Sequence, residues 1–543
     1  MKHLSPVHGI EKGSRFEKNK VYENRPELLF GLLLSAIACL VIFNRLFTKT
    51  FFPSIDFYQT PFLAYASLRE VFSYNPAIAA ITIAILLVPL YLIFNLKWVD
   101  VCSSQTRAFI LLMAALLVWR NSTFGYNYFI DVSHHADRLL LITIFLLSLW
   151  RPVFLVLMFP QIFLLQGQLS INFISYSPAE MSMPLKLLAA FCILLFFRQF
   201  YKFRFDPMFI WLAIVIIMSH YWTAAYAKFL IDWHKFGQIH NMFSAGYAGG
   251  WLGFLDTESI SKILKITSKF DKPAMVITFA FETAVIFSLF NGTVLIVLLA
   301  LASVFHITVF AVSGICFWQW MLIDIAFIYL LYIKSNKSYL NPSYLPIYTR
   351  ITLTLLIAVS PFWMGAARLG WHDSPVNYIY QLRAFDSENN SEVLTPAYFT
   401  PYEYPFTLNS LQFLSESKTL PISWGATREL TLAKELAESS SKQDILELIE
   451  QQGSVKFEEL RAKYFDRFVA DFVRNKQAKK DHKSWFDHFP APLYLFTKLQ
   501  IRQIHHKQIQ RVEVTRLTSW FDGTKFQTID KTLVRTIPIE TDS

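Results

Sequence analysis

The sequence predicts an all-α polytopic membrane protein of about nine to eleven transmembrane helices, followed by a C-terminal α+β domain on the exoplasmic side. Three observations predict it. Apolar runs long enough to cross or enter a bilayer recur from residue 28 to residue 366. The composition is 54% hydrophobic and 17% aromatic against only 17% charged, with 52 phenylalanines and a mean hydropathy of +0.36. The basic residues collect in alternate loops, as they do when those loops share the cytoplasmic side.

The expected segments are 28–43, 77–96, 107–119, 137–150, 152–167, 183–198, 207–229, 273–290, 293–314, 317–333 and 350–366. Several are short of the ~20 residues a full span needs. Segments 107–119, 137–150 and 152–167 fit tilted, half-buried or re-entrant pieces. The leading residues 1–27 carry Lys2, Lys12, Arg15, Lys18, Lys20 and Arg25 and read as a cytoplasmic, basic N-terminus, not a cleavable signal. Alternation then places the basic loops 97–107, 199–206 and 334–350 on the cytoplasmic side. It places 51–76, 120–136, 168–182 and 230–272 outside. The bundle is expected over 28–366 and an exoplasmic soluble domain over 367–543.

In that last region SKQDILELIEQQ and KFEELRAKYFDRFVADFVRNK carry apolar residues at helical spacing. QIQRVEVTRLTSWFDGTKFQTI alternates around Asp522-Gly523, a hairpin signal. The join near 367–410, rich in Pro, Asn, Ser and Tyr, is expected to be irregular. The net charge of +10 fits cytoplasmic loops, so no nucleic-acid partner is expected. Cys39, Cys102, Cys192 and Cys316 form no CxxC pair, so neither a disulfide framework nor a metal site is expected.

The stretch HYWTAAYAKFLIDWHKFGQIH, residues 220–240, ends an apolar run with charged residues. An ammonium at bilayer depth costs roughly 2.5–3.5 kcal/mol on insertion scales, so Lys228 needs a partner, an aqueous cavity or a chemical role. Asp232 stands at i+4 from it and can neighbour it if the helix continues. Glu282 lies in AFETAVIF, His306 in VFHITVF, and His134 and His135 in the loop 120–136. On the expected topology all of them fall on the outer half of the bundle. Each has a plain alternative. Lys228 could snorkel to the interface beside Asp232. His220 and His306 could be satisfied hydrogen-bonding groups of a bundle interior. His134, His234 and His240 could be ordinary surface residues. Glu282, a carboxylate in mid-segment, is the hardest to treat as idle.

Several of these stretches resemble the HTTM family, the horizontally transferred transmembrane domain proteins related to vitamin K-dependent γ-carboxylase. YWTAAYAKFLIDW resembles the family's aromatic–small–small motif with a lysine before Asp-Trp. VFHITVFAVSGICFWQWML resembles its Phe-His segment, and SHHADRLLLITIFLL its Asn-His segment, with His134 the better match. The step from Glu282 to His306 is similar to the family's acidic-to-histidine spacing. The resemblance covers roughly residues 25–335. It implies a reduced quinone of the vitamin K type as cofactor. In that chemistry a lysine removes the hydroquinone proton and oxygen converts the quinone to a strong base. The base takes a γ-proton from a glutamate, and CO2 adds to the carbanion. Counting back from Asp232-Trp233, Lys228 matches the second of two family lysines, and Ala227 stands at the first, catalytic one.

The resemblance therefore implies membrane-embedded, carboxylase- or epoxidase-like chemistry on a lipophilic quinone, with a protein or peptide substrate on the outer side. Lys228 would be the base or a ligand-polarising cation. His134 and His306 would donate hydrogen bonds to a developing phenolate. Glu282 would hold His306 or Lys228, and Asp232 would set the charge state of Lys228. His220, Asp232 and Trp233 would line the cofactor site. The alternative is a non-catalytic protein that binds membrane lipids or anchors a complex. A transporter would show broken helices and internal repeats, which are not evident in the sequence.

Overall fold

The computed structural model describes residues 26–49, 55–74, 90–91, 93–123, 129, 131–168, 179–334, 345–400, 402–478, 485–489 and 508–540. Of the expected apolar segments, 77–96 lies largely outside the described residues; every other falls largely on helix, although the helix of 350–366 ends at Ala358 and is followed only by a 3-10 turn at Ser360–Phe362. The principal helices are α1 (Pro26–Lys49), α2 (Leu63–Tyr74), α3 (Ser104–Ser122), α4 (His135–Trp150), α5 (Phe154–Gly167) and α6 (Ala179–Phe200). They continue as α7 (Phe205–Leu230), α8 (Asn241–Ala248), α9 (Thr257–Thr267), α10 (Asp271–Ala284), α11 (Gly292–Ser313), α12 (Trp318–Lys334) and α13 (Ile347–Ala358).

Among the described residues four helical stretches are long and apolar enough to cross a membrane: Ser182–Phe200, Phe205–Leu230, Thr257–Leu289 and Gly292–Ser313. The last two join at Asn291, whose side chain accepts from Thr293 N at 2.8 Å and caps α11. Gly314 ends α11 with φ +76, and a Cβ there would lie 2.8 Å from the Trp251 ring, so both backbone and space ask for glycine.

Helix α7 is the axis of the bundle. Its neighbours include α6, α10, α13 and α1. From Met208 to Ile217 every residue of α7 is buried, within one apolar core that runs from Leu32 to Met364. A helix apolar all round must be surrounded to be stable.

The C-terminal region is built on a four-stranded antiparallel sheet with strand order β3-β2-β5-β6. Its strands are β2 (Val376–Asp386), β3 (Ser391–Leu394), β5 (Ile509–Phe521) and β6 (Phe526–Pro538). A two-stranded ribbon pairs β1 (His372–Asp373) with β4 (Ala426–Thr427). The hairpin expected around Asp522-Gly523 is the β5–β6 turn. There Gly523 has φ +87, and Asp522 Oδ1 accepts from Thr524 N and Lys525 N at 2.8 Å each. Helices α14 (Leu430–Glu438), α15 (Lys442–Gln452) and α16 (Glu459–Ala478) complete the region. Ser441 and Asp444 form a capping box on α15, and α16 buries Phe465, Phe468 and Phe472 in the core beside the sheet.

The join at 367–410 differs from expectation. Instead of irregular chain it contains β2, which pairs with strands on both sides. Val376, Tyr378, Tyr380, Leu382 and Ala384 are buried at alternate positions. The two tyrosines and the alanine made that alternation look polar and loop-like. The sheet core also takes in Tyr58, Leu63, Phe129 and Leu164 from the preceding chain.

Candidate functional site

Lys228 lies on the last turn of α7, and its ammonium is held by a single acid. Its Nζ is 2.5 Å from Glu282 Oε1 and 2.7 Å from Oε2. The Lys228 side chain is 11% exposed and that of Glu282 is 2% exposed. Trp233 covers the same ammonium, with its ring centroid 5.3 Å from Nζ. Of the two partners expected for Glu282, His306 or Lys228, the fold supplies Lys228, by crossing α7 with α10.

Asp232 does not join them. Helix α7 stops at Leu230, and Asp232 takes a left-handed conformation, φ 56. The expected i+4 geometry is lost, and Asp232 turns outward to Lys235, 3.0 Å away. The plain alternative, Lys228 snorkelling beside Asp232, is likewise not the arrangement here, because Lys228 points to Glu282.

Seven residues before Lys228, about 10.5 Å back along the same face, Tyr221 centres a second polar group. Its hydroxyl donates to Asp324 Oδ2 at 2.6 Å and lies 3.0 Å from His306 Nε2. All three residues are buried: Tyr221 is 3%, His306 2% and Asp324 0% exposed. Among the described residues His306 Nδ1 and Asp324 Oδ1 find no hydrogen-bond partner, although buried polar atoms are normally paired. Glu282 therefore does not hold His306. Tyr221 does, because both Glu282 oxygens are spent on Lys228.

A third group starts at the neighbouring position. His220 Nδ1 donates to Ile216 O at 2.8 Å, and its Nε2 lies 3.4 Å from Ser182 Oγ. Lys186 Nζ donates to that same Ser182 oxygen at 2.6 Å. The ring of Trp320 stands between the second and third groups, with centroids 5.5 Å from His220, 5.5 Å from His306 and 6.2 Å from Tyr221.

His134 sits elsewhere. It has φ 47 at the start of α4, and its Nε2 is 2.8 Å from Tyr58 O, under the sheet region. The neighbouring Asp137 caps α2 by accepting from Leu63 N and Ala64 N at 2.8 and 2.9 Å. His134 thus touches the chain at Tyr58, before α2, while Asp137 holds the start of α2. Among the described residues no three His, Cys, Asp or Glu side chains gather in a way that could hold a metal.

The C-terminal region closes over the Lys228 end of α7. A Cβ on Gly370 would lie 2.7 Å from the Ala227 carbonyl and 2.9 Å from Lys228 N, so only glycine lets the two backbones meet. His372 Nε2 is 3.0 Å from Ile231 O, and Asn377 donates to Ser244 Oγ at 2.8 Å. Asp373 is 3% exposed and accepts from Trp371 Nε1 at 3.1 Å. Burial, reinforced by the Asp271 charge, pushes its carboxyl up to about 8, against the opposing pull of the Trp371 hydrogen bond and Lys228. Asp271 itself holds His240, accepting from its backbone N at 2.9 Å and pairing with Nδ1 at 2.6 Å.

Sequence reasoning missed Tyr221, Asp324, Lys186, Ser182 and Asp373. Asp324 and Lys186 carried the signal that singled out Glu282, an ionisable group inside an apolar run. Nothing in the sequence placed Asp373, because its burial depends on a distant ribbon.

Compared with family models, with curated proteins and with solved structures, the chain shows no match. The HTTM resemblance thus rests on the residues and spacings in the chain itself.

Proposed function

We propose that the chain is a polytopic membrane protein resembling the γ-carboxylase-related HTTM proteins. Its bundle takes a lipophilic quinone-like ligand from the bilayer. Its N-terminus is cytoplasmic, and its sheet region lies on the exoplasmic side together with Lys228, Glu282 and His306. The observation that carries this reading is the buried His306–Tyr221–Asp324 chain. Among the described residues it leaves one nitrogen and one carboxylate oxygen unpaired in an apolar interior, and hydrogen-bonding ligand groups would satisfy both. Carboxylase- or epoxidase-like chemistry on that ligand, with a peptide substrate from the outer side, is the specific form of the proposal. The test is mass spectrometry of the lipid extract of the purified full chain. A quinone at near-stoichiometric amount is expected from the parent and a loss of at least tenfold from His306→Phe. A quinone-free parent extract would count against the reading. Cysteine labelling at position 530 checks the orientation, since reaction only from the cytoplasmic face would reverse it.

One observation favours a second reading, a non-catalytic lipid-binding or complex-anchoring protein. The Lys228 ammonium is already neutralised by both Glu282 oxygens, which suits a tie between α7 and α10. Lys228→Arg separates the two. A guanidinium preserves a tie but cannot give up a proton near neutrality, so ligand turnover that survives the substitution supports the anchor.

A further inference from the structure

Two lysines are buried in the outer half of the expected bundle, and they are partnered very differently. Lys228 has a whole carboxylate. Lys186 is 6% exposed, and its hydrogen-bonding partner among the described residues is the Ser182 hydroxyl. An amine sunk in apolar surroundings beside a hydroxyl alone is under-compensated whenever it carries charge. Lys186 also lines a partly open crevice with Leu40, Trp363 and Met364, which has room for about one water-sized group. The crevice lies where α1, α6 and the turn after α13 meet. From there Ser182 passes the hydrogen-bond chain to His220, and Trp320 separates His220 from His306.

We propose that Lys186 and this crevice form a binding site for the acidic oxygen of a lipophilic ligand. The size of the crevice admits a single oxygen-bearing group. An oxyanion there completes the coordination of the ammonium, as Glu282 does for Lys228. Ser182 is a positioning residue: its oxygen accepts from Lys186 and its hydroxyl proton is free to point at His220 Nε2. Phenolate, carboxylate and phosphate oxygens share the required chemistry. The proposal rests on the ligand reading of the bundle and names the amine that reads the ligand.

The test uses the purified full chain in mild detergent and three probes, 2-methyl-1,4-naphthohydroquinone under reductant, dodecanoate and dodecyl phosphate. Binding is followed by tryptophan fluorescence, and folding by the melting profile. The parent is expected to bind at least one probe saturably, and the preferred probe identifies the class of oxygen. Lys186→Met is expected to weaken that binding tenfold or more. Ser182→Ala, which keeps the lysine and provides the answer if the methionine variant does not fold, is expected to weaken it about threefold or more. Affinities within twofold of the parent in the variants that fold would overturn the assignment to Lys186 while leaving the ligand reading intact. No saturable binding of any probe by the parent would overturn both.

Discussion

Helices α7 and α11 are both long enough to cross a membrane, yet 94% of the apolar window of α7 is buried and only 28% of that of α11. The less apolar of the two is the more enclosed. Helix α7 brings His220, Tyr221, Thr223 and Lys228 to the interior, each answered by a partner on another element or by its own backbone. Helix α11 shows Val297, Leu301, Val304 and Ile307 on its exposed side and buries a mostly apolar face, with His306 and Ser313 its buried polar residues. In water the ranking would be reversed. A bilayer removes the penalty for an exposed leucine and raises the one for an unpaired polar group, so polar residues become the interior. In this chain buried polarity, more than hydrophobicity, marks the centre.

The sharpest way to break that comparison is to strip α7 of one charge partner. Glu282→Leu leaves the Lys228 ammonium enclosed and unpaired, and is expected to cost about 3–5 kcal/mol in the melting of the detergent-solubilised chain. The double variant Lys228→Met with Glu282→Leu should recover most of that loss. A single variant as stable as the parent would mean that the pair is not closed as described.

Next comes packing. Leu212 on α7 is 0% exposed and Val304 on α11 is 59% exposed. Leu212→Ala should cost about 2–5 kcal/mol through the cavity it leaves, whereas Val304→Ala should stay within about 0.5 kcal/mol. Equal losses in a melting comparison would show that α11 is as enclosed as α7.

Much of this contrast was legible in the sequence, and the reasons differ by element. Hydropathy found the helices because spans need unbroken apolar runs, and the β5–β6 hairpin announced itself by alternation around Asp522-Gly523. Lys228 and Glu282 were legible because ionisable residues in apolar runs demand partners. Their pairing was not, since it depends on where α10 crosses α7. Asp232 misled because the helix ends two residues before it, at Leu230. Strand β2 was hidden by its tyrosines, and its burial comes from β5, more than 120 residues further along the chain.

A smaller effect probes how the sheet region meets the end of α7. Gly370→Ala would set a methyl 2.7 Å from the Ala227 carbonyl, a backbone group that cannot step aside alone. An overpacking loss of about 1–3 kcal/mol is expected, with faster proteolysis between the bundle and β2. Unchanged melting and cleavage would place the two segments further apart than described.

A pH dependence is carried by Asp373 at the same junction. Burial holds its carboxyl at about 8, well above the ordinary value of 3.8, so the folded protein keeps a proton that the unfolded chain releases. Below the unfolded value both states are protonated and this group makes no difference. As pH rises from about 4 towards 8 the unfolded state loses its proton first, so the folded state is progressively disfavoured; above 8 the loss is complete and level. Asp373→Asn keeps an acceptor for Trp371 Nε1 and carries no charge. It should therefore abolish this part of the decline, leaving a melting temperature that falls less between pH 5 and pH 8 than that of the parent. The exposed Asp232, whose carboxyl is held low chiefly by the Lys235 hydrogen bond, serves as the contrast. Its stabilising contribution is lost as pH falls into the acid range, so Asp232→Asn should leave the slope between pH 5 and pH 8 unchanged. Parallel pH profiles for the parent and Asp373→Asn would show that the carboxyl is solvated, and that the sheet region does not seal the Lys228 end of α7.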